Sequence, residues 1–201
     1  MLQLERKVIS KIEGQRSGWI FSGNDFLDLG TVELTNKALD RLNKSKTLIH
    51  IFDGIYYQPK FSKLLDKELS PNMEELVLAI ARKNKWVISP TGDFALNFLG
   101  FTTQVPGRIV YLSSGSSCTY EYGRQTIRFI ETPLKEIDFK YYESKLLVQA
   151  ILTLERNHQI ENYLNKRIGN KFSPVQKKLI LKDTVNTYKW VREIIIKVCE
   201  S

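Results

Sequence analysis

Residues 41–59, RLNKSKTLIHIFDGIYYQP, decide the fold of the amino-terminal part of this 201-residue chain. The stretch contains the last residues of an amphipathic helix, a polar link, and two short apolar runs joined by Asp53 and Gly54. Asp-Gly between two such runs is a strong hairpin signal, because both residues tolerate the positive φ that a tight two-residue turn requires. The stretch therefore predicts a helix followed at once by a β-hairpin.

The residues before this stretch predict two further helices and a brief strand. Apolar residues at helical spacing predict a first helix of about 12 residues that stops before Gly14. The apolar run at 19–21 suits a short strand. Ser22 then caps a short second helix that ends at Gly30, because serine oxygens accept from free N–H groups at helix starts and glycine readily ends helices.

A third helix is predicted from about Thr31 or Val32 into the quoted stretch. We expect its apolar side to face the core and its polar side to face solvent. The apolar side comprises Leu34, Ala38, Leu39 and Leu42, and the polar side comprises Thr35, Asn36, Lys37, Asp40, Arg41 and Lys44. The order helix, short strand, helix, helix and hairpin is that of a winged helix-turn-helix, which we predict for residues 1–65.

This architecture is suited to DNA. A helix about 14 residues long fits the major groove, where outward side chains reach base edges, while a hairpin lies along the backbone or a minor groove. We assign base contact to residues near the helix start, which are Thr31, Glu33, Thr35, Asn36 and Lys37. Backbone contact, which positions a protein without specifying sequence, is assigned to Arg41, Lys44, Lys46 and His50. The alternative is that these residues form a solvated helix face.

Residues 66–201 are predicted as a second domain, a small mixed α/β domain that ends in a helical segment, so the fold class expected for the chain is α+β. The elements expected in order are a helix begun by Ser70 and Pro71 that ends near Lys85, a strand at 86–88, a short helix at 90–100 and three strands over 108–131. Polar and apolar residues alternate at 118–122, which suits a sheet with one face in water.

From about residue 140 to residue 201 the chain is predicted to be helical, and it is basic, with 12 Lys and Arg against 6 Asp and Glu. The expected helices include one around Ile160, Tyr163 and Leu164, one started by a capping box at 173–176, and a last one after Asp183. Candidates for contact with DNA phosphates or an acidic protein are Lys182, Lys189, Arg192 and Lys197. A solvated surface is the alternative for these four side chains.

Composition bounds the class of protein. The chain carries 30 Lys and Arg against 22 Asp and Glu, a net charge of +8, which favours an acidic or polyanionic partner. It has no run of roughly 18 apolar residues and begins without the layout of a signal peptide, so we expect a cytoplasmic protein that does not enter a membrane. Cys118 and Cys199 lie far apart without clustered histidines, so we expect neither a zinc site nor a disulfide framework, and we assign the chain no metal and no cofactor.

An enzyme is disfavoured by the distribution of reactive side chains. Nucleophilic catalysis needs a base beside a serine or cysteine, yet the two histidines are His50 in the hairpin and His158 between two late helices. A nuclease built from Asp93, Glu131 and Lys135 would need these to converge, and a proline interrupts the strand that would carry the last two. We therefore assign no catalytic residue.

Several segments, in matching order, resemble the AbiEi-type antitoxins of bacterial type IV toxin–antitoxin systems, which act in abortive infection against phage, and the related DUF6088 group. These are GWIFSGNDFLDLG at 18–30, ALDRLNKSKTLIHIFDGIYYQP at 38–59, ISPTGDFALNFLGFTTQVPGRIVYLSSG at 88–115 and YGRQTIRF at 122–129. The resemblance implies a winged helix that binds operator DNA and represses its own operon. It also implies a carboxy-terminal region that neutralises a nucleotidyltransferase-like toxin encoded alongside. Direct contact with the toxin and the oligomeric state stay open, a monomer that binds DNA repeats cooperatively being one arrangement.

The chain departs from the family pattern in the hairpin. Relatives often carry arginines where this sequence has Ile49, His50 and Asp53. Because each missing arginine removes a bond to phosphate and weakens binding, we expect DNA affinity mainly in the third helix, with part of the hairpin contact retained by Lys46 and His50. The alternative function is a protein-interaction module whose winged helix no longer binds DNA.

Overall fold

The computed structural model describes residues 3–15, 18–52, 54–62, 66–104, 107–156 and 171–200, and within them the chain is mixed α+β. Its contacts divide it into two compact units, Met1–Trp86 and Val87–Ser201. The sequence had placed the boundary after residue 65. The difference arises because a helix at 73–84 packs onto the first unit. The helix expected around Ile160, Tyr163 and Leu164, with His158 before it, lies outside the described residues.

The first unit contains the elements expected from the sequence through the hairpin in the expected order, except that the second helix is a 3₁₀ helix that ends at Phe26 instead of Gly30. They are α1 (Gln3–Glu13), β1 (Ile20–Ser22), a 3₁₀ helix (Gly23–Phe26), α2 (Val32–Lys44), β2 (Ile49–Phe52) and β3 (Ile55–Tyr57). A second hairpin and a helix follow, which are β4 (Lys60–Ser62), β5 (Lys67–Leu69) and α3 (Met73–Asn84). Ser22 caps the 3₁₀ helix, its backbone N–H donating to Asp25 Oδ2 at 2.8 Å.

The strands β1, β2 and β3 form a three-stranded antiparallel sheet in the order β1-β3-β2. Tyr57 of β3 lies between Ile20 of β1 and Ile49 of β2, so the sequence-distant strand β1 completes the hairpin sheet. Gly54 closes the turn with φ +66, a conformation that costs glycine little. The pairing shifts by one residue between His50 and Phe52, a bulge that bends the free edge strand.

The core of the first unit lies between α1, α2, the 3₁₀ helix and the sheet. Its fully buried side chains include Val8, Phe21, Phe26 and Leu39. Phe21 and Phe26 meet edge to face with ring centroids 5.5 Å apart, the geometry that aromatic quadrupoles favour. Burying each such side chain contributes about 1.5–3 kcal/mol. This apolar centre fixes which face of α2 turns outward.

Polar contacts attach the loop after the 3₁₀ helix and α3 to this core. Lys11 Nζ donates to Asp25 O at 2.8 Å and to the Asp28 carboxylate, and that hydrogen bond holds the pKa of Asp28 below its ordinary value. On α3, Arg82 donates to Ile20 O at 2.7 Å and to Asp25 Oδ1 at 3.1 Å. These bonds explain why α3 belongs to the first unit.

The start of α3 differs from the prediction. Asn72 caps the helix, its Oδ1 accepting from the backbone N–H groups of Glu74 at 2.8 Å and Glu75 at 3.2 Å. Because one side chain satisfies two backbone donors, the helix starts with Asn72 as its cap and Met73 as its first residue. Both positions lie two residues later than the predicted Ser70 and Pro71. The helix ends at Asn84 and Lys85 caps it with φ +57, as the sequence indicated near that residue.

The second unit is a four-stranded sheet with helices packed beside it. Its elements are β6 (Ile88–Pro90), α4 (Gly92–Phe98), β7 (Ile109–Ser113), β8 (Cys118–Tyr122), β9 (Gln125–Glu131), α5 (Leu134–Ile137), α6 (Tyr142–Arg156), α7 (Pro174–Asp183) and α8 (Lys189–Glu200). The strand order is β6-β7-β9-β8, in which β7 and β9 run parallel and the other neighbours run antiparallel. The parallel pair places the starts of β7 and β9 side by side.

Helix α6 forms the centre of the second core. Its Leu146, Leu147 and Ile151 are fully buried and pack with side chains from α4, α7 and α8. The capping box predicted at the start of α7 is present, since Gln176 N donates to Ser173 Oγ and Ser173 N donates to Gln176 Oε1. None of the helices in the described ranges is both long enough and apolar enough to span a membrane.

Candidate nucleic-acid interface

Helix α2 is held to the core by one face, which leaves the other face in solvent. Ala38, Leu39 and Leu42 are buried to 2% exposure or less, at the spacing that aligns them along one side of the helix. Thr31 caps the start, and its Oγ1 accepts from Leu34 N at 3.4 Å. The first turn of α2 is therefore fixed in position, and Thr31 itself is exposed.

The outward face of α2 carries an exposed stripe of charged residues at helical spacing, which are Glu33, Lys37, Asp40, Arg41 and Lys44. Lys37 Nζ donates to Glu33 Oε1 at 2.6 Å, and these side chains are 60% and 78% exposed. An exposed pair four residues apart on a helix contributes only about 0.2–0.5 kcal/mol. Lys37 can exchange this carboxylate for another acceptor at small cost. Asp40, in turn, accepts from the hydroxyl of Tyr56.

Two residues of α2 face opposite to the predicted directions. Thr35, expected to read bases, is fully buried, and its hydroxyl lies 3.0 Å from Val32 O, 3.1 Å from Thr31 O and 3.2 Å from Gly23 O. Leu34, expected in the core, is 52% exposed. The prediction was wrong because a hydroxyl that can donate to nearby carbonyls is easily buried, so polarity alone gave the wrong face. Thr35 cannot reach DNA from this position.

Asn36 lies against the backbone of the 3₁₀ helix and remains half-buried. A Cβ atom added to Gly23 would lie 2.1 Å from Asn36 Oδ1 and 2.9 Å from its Cγ, closer than any real contact. Glycine at position 23 thus allows the amide of Asn36 to sit where it does. Within the described residues the Asn36 side chain makes no hydrogen bond, so its amide is available to a partner.

Arg41 has an internal partner that the sequence did not predict. Its Nε donates to Glu5 Oε1 of α1 at 2.6 Å, and the Glu5 side chain is only 8% exposed. A carboxylate so deeply buried requires a countercharge. Arg41 thus joins α1 to α2 through Nε, while its side chain stays 45% exposed, so its prediction as a phosphate contact stays a prediction.

Lys46 and His50 line one shallow cavity of about 490 Å³ beside the hairpin, together with Glu68. Lys44 and Lys46 are both exposed, and Lys46 adopts φ +59 in the link between α2 and β2. The exposed His50 ring lies 5.0 Å from the Tyr56 ring. The link and the hairpin thus bring together Lys46 and His50, the two residues predicted there to contact the DNA backbone, and Glu68 lies beside them.

The four basic candidates near the carboxy terminus do not form one stripe on one helix. Lys182 belongs to α7, whereas Lys189 and Lys197 are exposed on α8. Arg192 Nη1 donates to the hydroxyl of the buried Thr184 at 2.8 Å. Thr184 in turn donates to Ile180 O, so Arg192 supports the end of α7. Lys182, Lys189 and Lys197 are all exposed.

The residues considered for a nuclease are only partly brought together. Asp93 and Glu131 line one cavity of about 380 Å³ together with Glu136, while Lys135 lies exposed on α5. Among the residues that the structure describes, no three His, Cys, Asp or Glu side chains are grouped so as to hold a metal ion.

Comparison with known proteins gives a family. No curated protein matches the chain, and no solved structure matches it. A family profile described as "Family of unknown function (DUF6088)" matches residues 7–179, which include most of α1, the hairpin, the four-stranded sheet and most of α7. Because this match covers most of the sequence, the chain belongs to the DUF6088 family.

Proposed function

We propose that this protein is a non-catalytic antitoxin and autorepressor of a type IV toxin–antitoxin system, and that its first unit is a winged helix-turn-helix that binds operator DNA. The observation that carries the proposal is the placement of α2. Its apolar face is buried, its capped first turn and charged stripe are exposed, and a bulged hairpin follows it directly. A helix presented in this way is the element that winged proteins place in the major groove.

The first turns of α2 carry the chemistry for reading bases. Asn36 makes no side-chain hydrogen bond within the described residues, and its amide has the chemistry that pairs with the donor and acceptor of adenine, while Lys37 suits the two acceptors of guanine. The exposed side chain of Leu34 adds an apolar surface of the kind that contacts thymine methyl groups. Thr31 and Glu33, both exposed at the same end, complete the proposed base-reading group.

Phosphate contacts are proposed for Lys44, Lys46 and His50. All three are exposed and lie at or beyond the carboxyl end of α2. Each phosphate neutralised releases condensed counterions, so such contacts give affinity that falls with salt and depends little on sequence. Arg41 is proposed as a weaker member of this group, because Glu5 already accepts from its Nε while the side chain remains 45% exposed.

The antitoxin half of the proposal rests on the sequence resemblance over residues 18–129 and concerns the second unit. Lys182, Lys189 and Lys197 are exposed there and are the proposed contacts for an acidic surface of a nucleotidyltransferase-like toxin or for further DNA phosphates. The proposal concerns a functional pairing with the neighbouring gene product. It is equally compatible with direct binding and with neutralisation through a shared substrate.

A second function is favoured by the charges around α2. Arg41 is paired with Glu5, Lys37 is paired with Glu33, and the hairpin presents Ile49 where relatives often carry arginine. An α2 face on which two of the cations are paired within the protein would suit a protein-interaction module that no longer binds DNA.

The proposal is tested in cells in two arms. In the first arm, the promoter upstream of the gene drives a reporter, and the protein should lower reporter output at least several-fold. In the second arm, the neighbouring gene is induced alone and together with this one, and growth should be restored only by co-expression. Repression without rescue would leave a repressor that is not an antitoxin, whereas rescue without repression would favour the interaction module.

A further inference from the structure

A basic cavity lies where the two parallel strands of the second unit begin. Its volume is about 470 Å³, and Arg108, Arg124 and Arg128 all line it. Arg108 directly precedes β7 and Arg124 directly precedes β9, so the parallel pairing of these strands brings the two residues to one edge. Arg128 lies opposite Val110 within the pair. Three arginines from two neighbouring strands thus line one concavity.

These arginines lie on the surface. All three are exposed, and none makes a side-chain hydrogen bond or ion pair within the part of the chain that the structure describes. The adjacent strand β8 offers one carboxylate, Glu121, opposite Thr126. Three positive charges against one leave the cavity suited to an anion. The planar fork of arginine matches the oxygens of a phosphate group especially well.

A second cavity adjoins the first and has a different character. It measures about 200 Å³ and shares Arg108, Ile109 and Val110 with the basic cavity. Phe94 of α4 and Tyr111 of β7 line it, and the Phe94 side chain is 39% exposed. Asn97 lines it as well, and because its Nδ2 donates to Thr102 O at 3.2 Å, its Oδ1 remains as an acceptor. An aromatic ring that carries an amino group fits these surroundings.

We propose that the second unit binds a free nucleoside phosphate, with the base in the aromatic cavity beside Phe94 and the phosphates among Arg108, Arg124 and Arg128. The two adjoining cavities require one ligand that is aromatic at one end and anionic at the other. Duplex DNA does not meet this requirement, because its bases are stacked and paired and must be extruded before a side chain can lie against their faces. A free nucleotide presents both parts at once.

The site is independent of the proposed DNA-binding surface on α2, since every residue that forms it belongs to the second unit. It therefore supplies a binding activity beyond repression and toxin neutralisation. The acceptor on Asn97 favours ATP, GTP or CTP over UTP, because only the first three bases carry an exocyclic amino group.

Isothermal titration of the full-length protein with ATP, GTP, CTP and UTP tests the proposal, with adenosine and inorganic tripolyphosphate as partial ligands. At least one nucleotide should bind saturably. Adenosine and tripolyphosphate should each bind at least about tenfold more weakly than that nucleotide, because each lacks half of the contacts. Absence of saturable nucleotide binding at millimolar concentration overturns the proposal. Tripolyphosphate binding as tight as ATP also overturns it, since it would indicate only a general anion surface.

Single substitutions locate the site. Arg128→Gln and Phe94→Ala should each weaken nucleotide binding about tenfold, while Arg128→Lys should lose less than Arg128→Gln because it keeps the charge. Lys178→Gln is the matched control, since Lys178 is exposed on α7 and lines neither cavity. Circular dichroism checks that each variant is folded. Equal effects of the control and the site variants contradict the assignment. A single-stranded oligonucleotide that displaces ATP at concentrations far below the dissociation constant of ATP also contradicts it, because the site would then prefer a nucleic acid strand.

Discussion

Arg41 Nε of α2 donates to Glu5 Oε1 of α1 at 2.6 Å, and the Glu5 carboxylate is almost wholly buried. Arg41→Ala should lower the free energy of unfolding by about 2 kcal/mol, because it removes a charge-assisted hydrogen bond to a buried carboxylate. Urea unfolding at pH 7 measures this. Lys44→Ala, a change at an exposed position one turn later, is the matched control and should shift stability by less than about 0.5 kcal/mol. Equal losses in both variants would mean that the ion pair contributes nothing to the fold.

Thr35 supplies a second prediction about the same helix. Thr35→Val keeps the shape but removes the hydroxyl that donates to the carbonyls of Val32 and Thr31, so we expect a loss of about 1 kcal/mol in stability. Thr35→Ser, which keeps the hydroxyl, should lose less stability than Thr35→Val. The folded Thr35→Val protein should bind DNA as the parent does. A variant that folds normally and loses DNA recognition would return Thr35 to the base-reading group.

Gly23 controls the position of Asn36. Gly23→Ala should weaken operator preference about as much as Asn36→Ala, because the new methyl group would occupy the place of the Asn36 amide. The double variant should be no worse than either single one, since both changes act on the same side chain. Competition binding with operator and scrambled duplexes measures the preference. Additive losses in the double variant would show that Gly23 acts through some other contact.

The division between base and phosphate contacts gives a fourth prediction. Alanine at both Asn36 and Lys37 should abolish preference for the operator. Alanine at both Lys44 and Lys46 should weaken binding to all DNA about equally, and should reduce the slope of log affinity against log salt by about 0.9 for each phosphate that is no longer neutralised. Fluorescence anisotropy over a range of salt concentrations measures both quantities. Indistinguishable behaviour of the two pairs would remove the division.

The sequence predicted the elements around the hairpin well because they depend on local signals. The Asp-Gly turn, the apolar spacing of α1 and the capping serines at 22 and 173 all act within a few residues. The contacts that define the surface of α2 act over longer separations. Glu5 reaches Arg41 from 36 positions away, and nothing in the spacing of α2 reveals it. The orientation of Leu34 and Thr35 was misjudged because each was assigned from its own polarity.

The second unit shows the same limit. Strands β7, β8 and β9 were predicted individually, but strand pairing is decided by tertiary packing, and the parallel pairing of β7 with β9 was not predicted. That pairing brings Arg108 and Arg124 into one cavity. The weak sequence signal for this edge is an arginine directly before each of two strands, at positions 108 and 124.

The central claim, that the first unit reads operator DNA, is tested most directly by fluorescence anisotropy with two labelled duplexes. One duplex carries the DNA upstream of the coding region, and the other carries the same bases in scrambled order. We predict saturable binding to the upstream duplex at low micromolar protein or below, weakening steeply with added salt and at least about a hundredfold tighter than binding to the scrambled duplex. Absence of salt-sensitive binding at low micromolar protein, or equal affinity for the two duplexes, would contradict it.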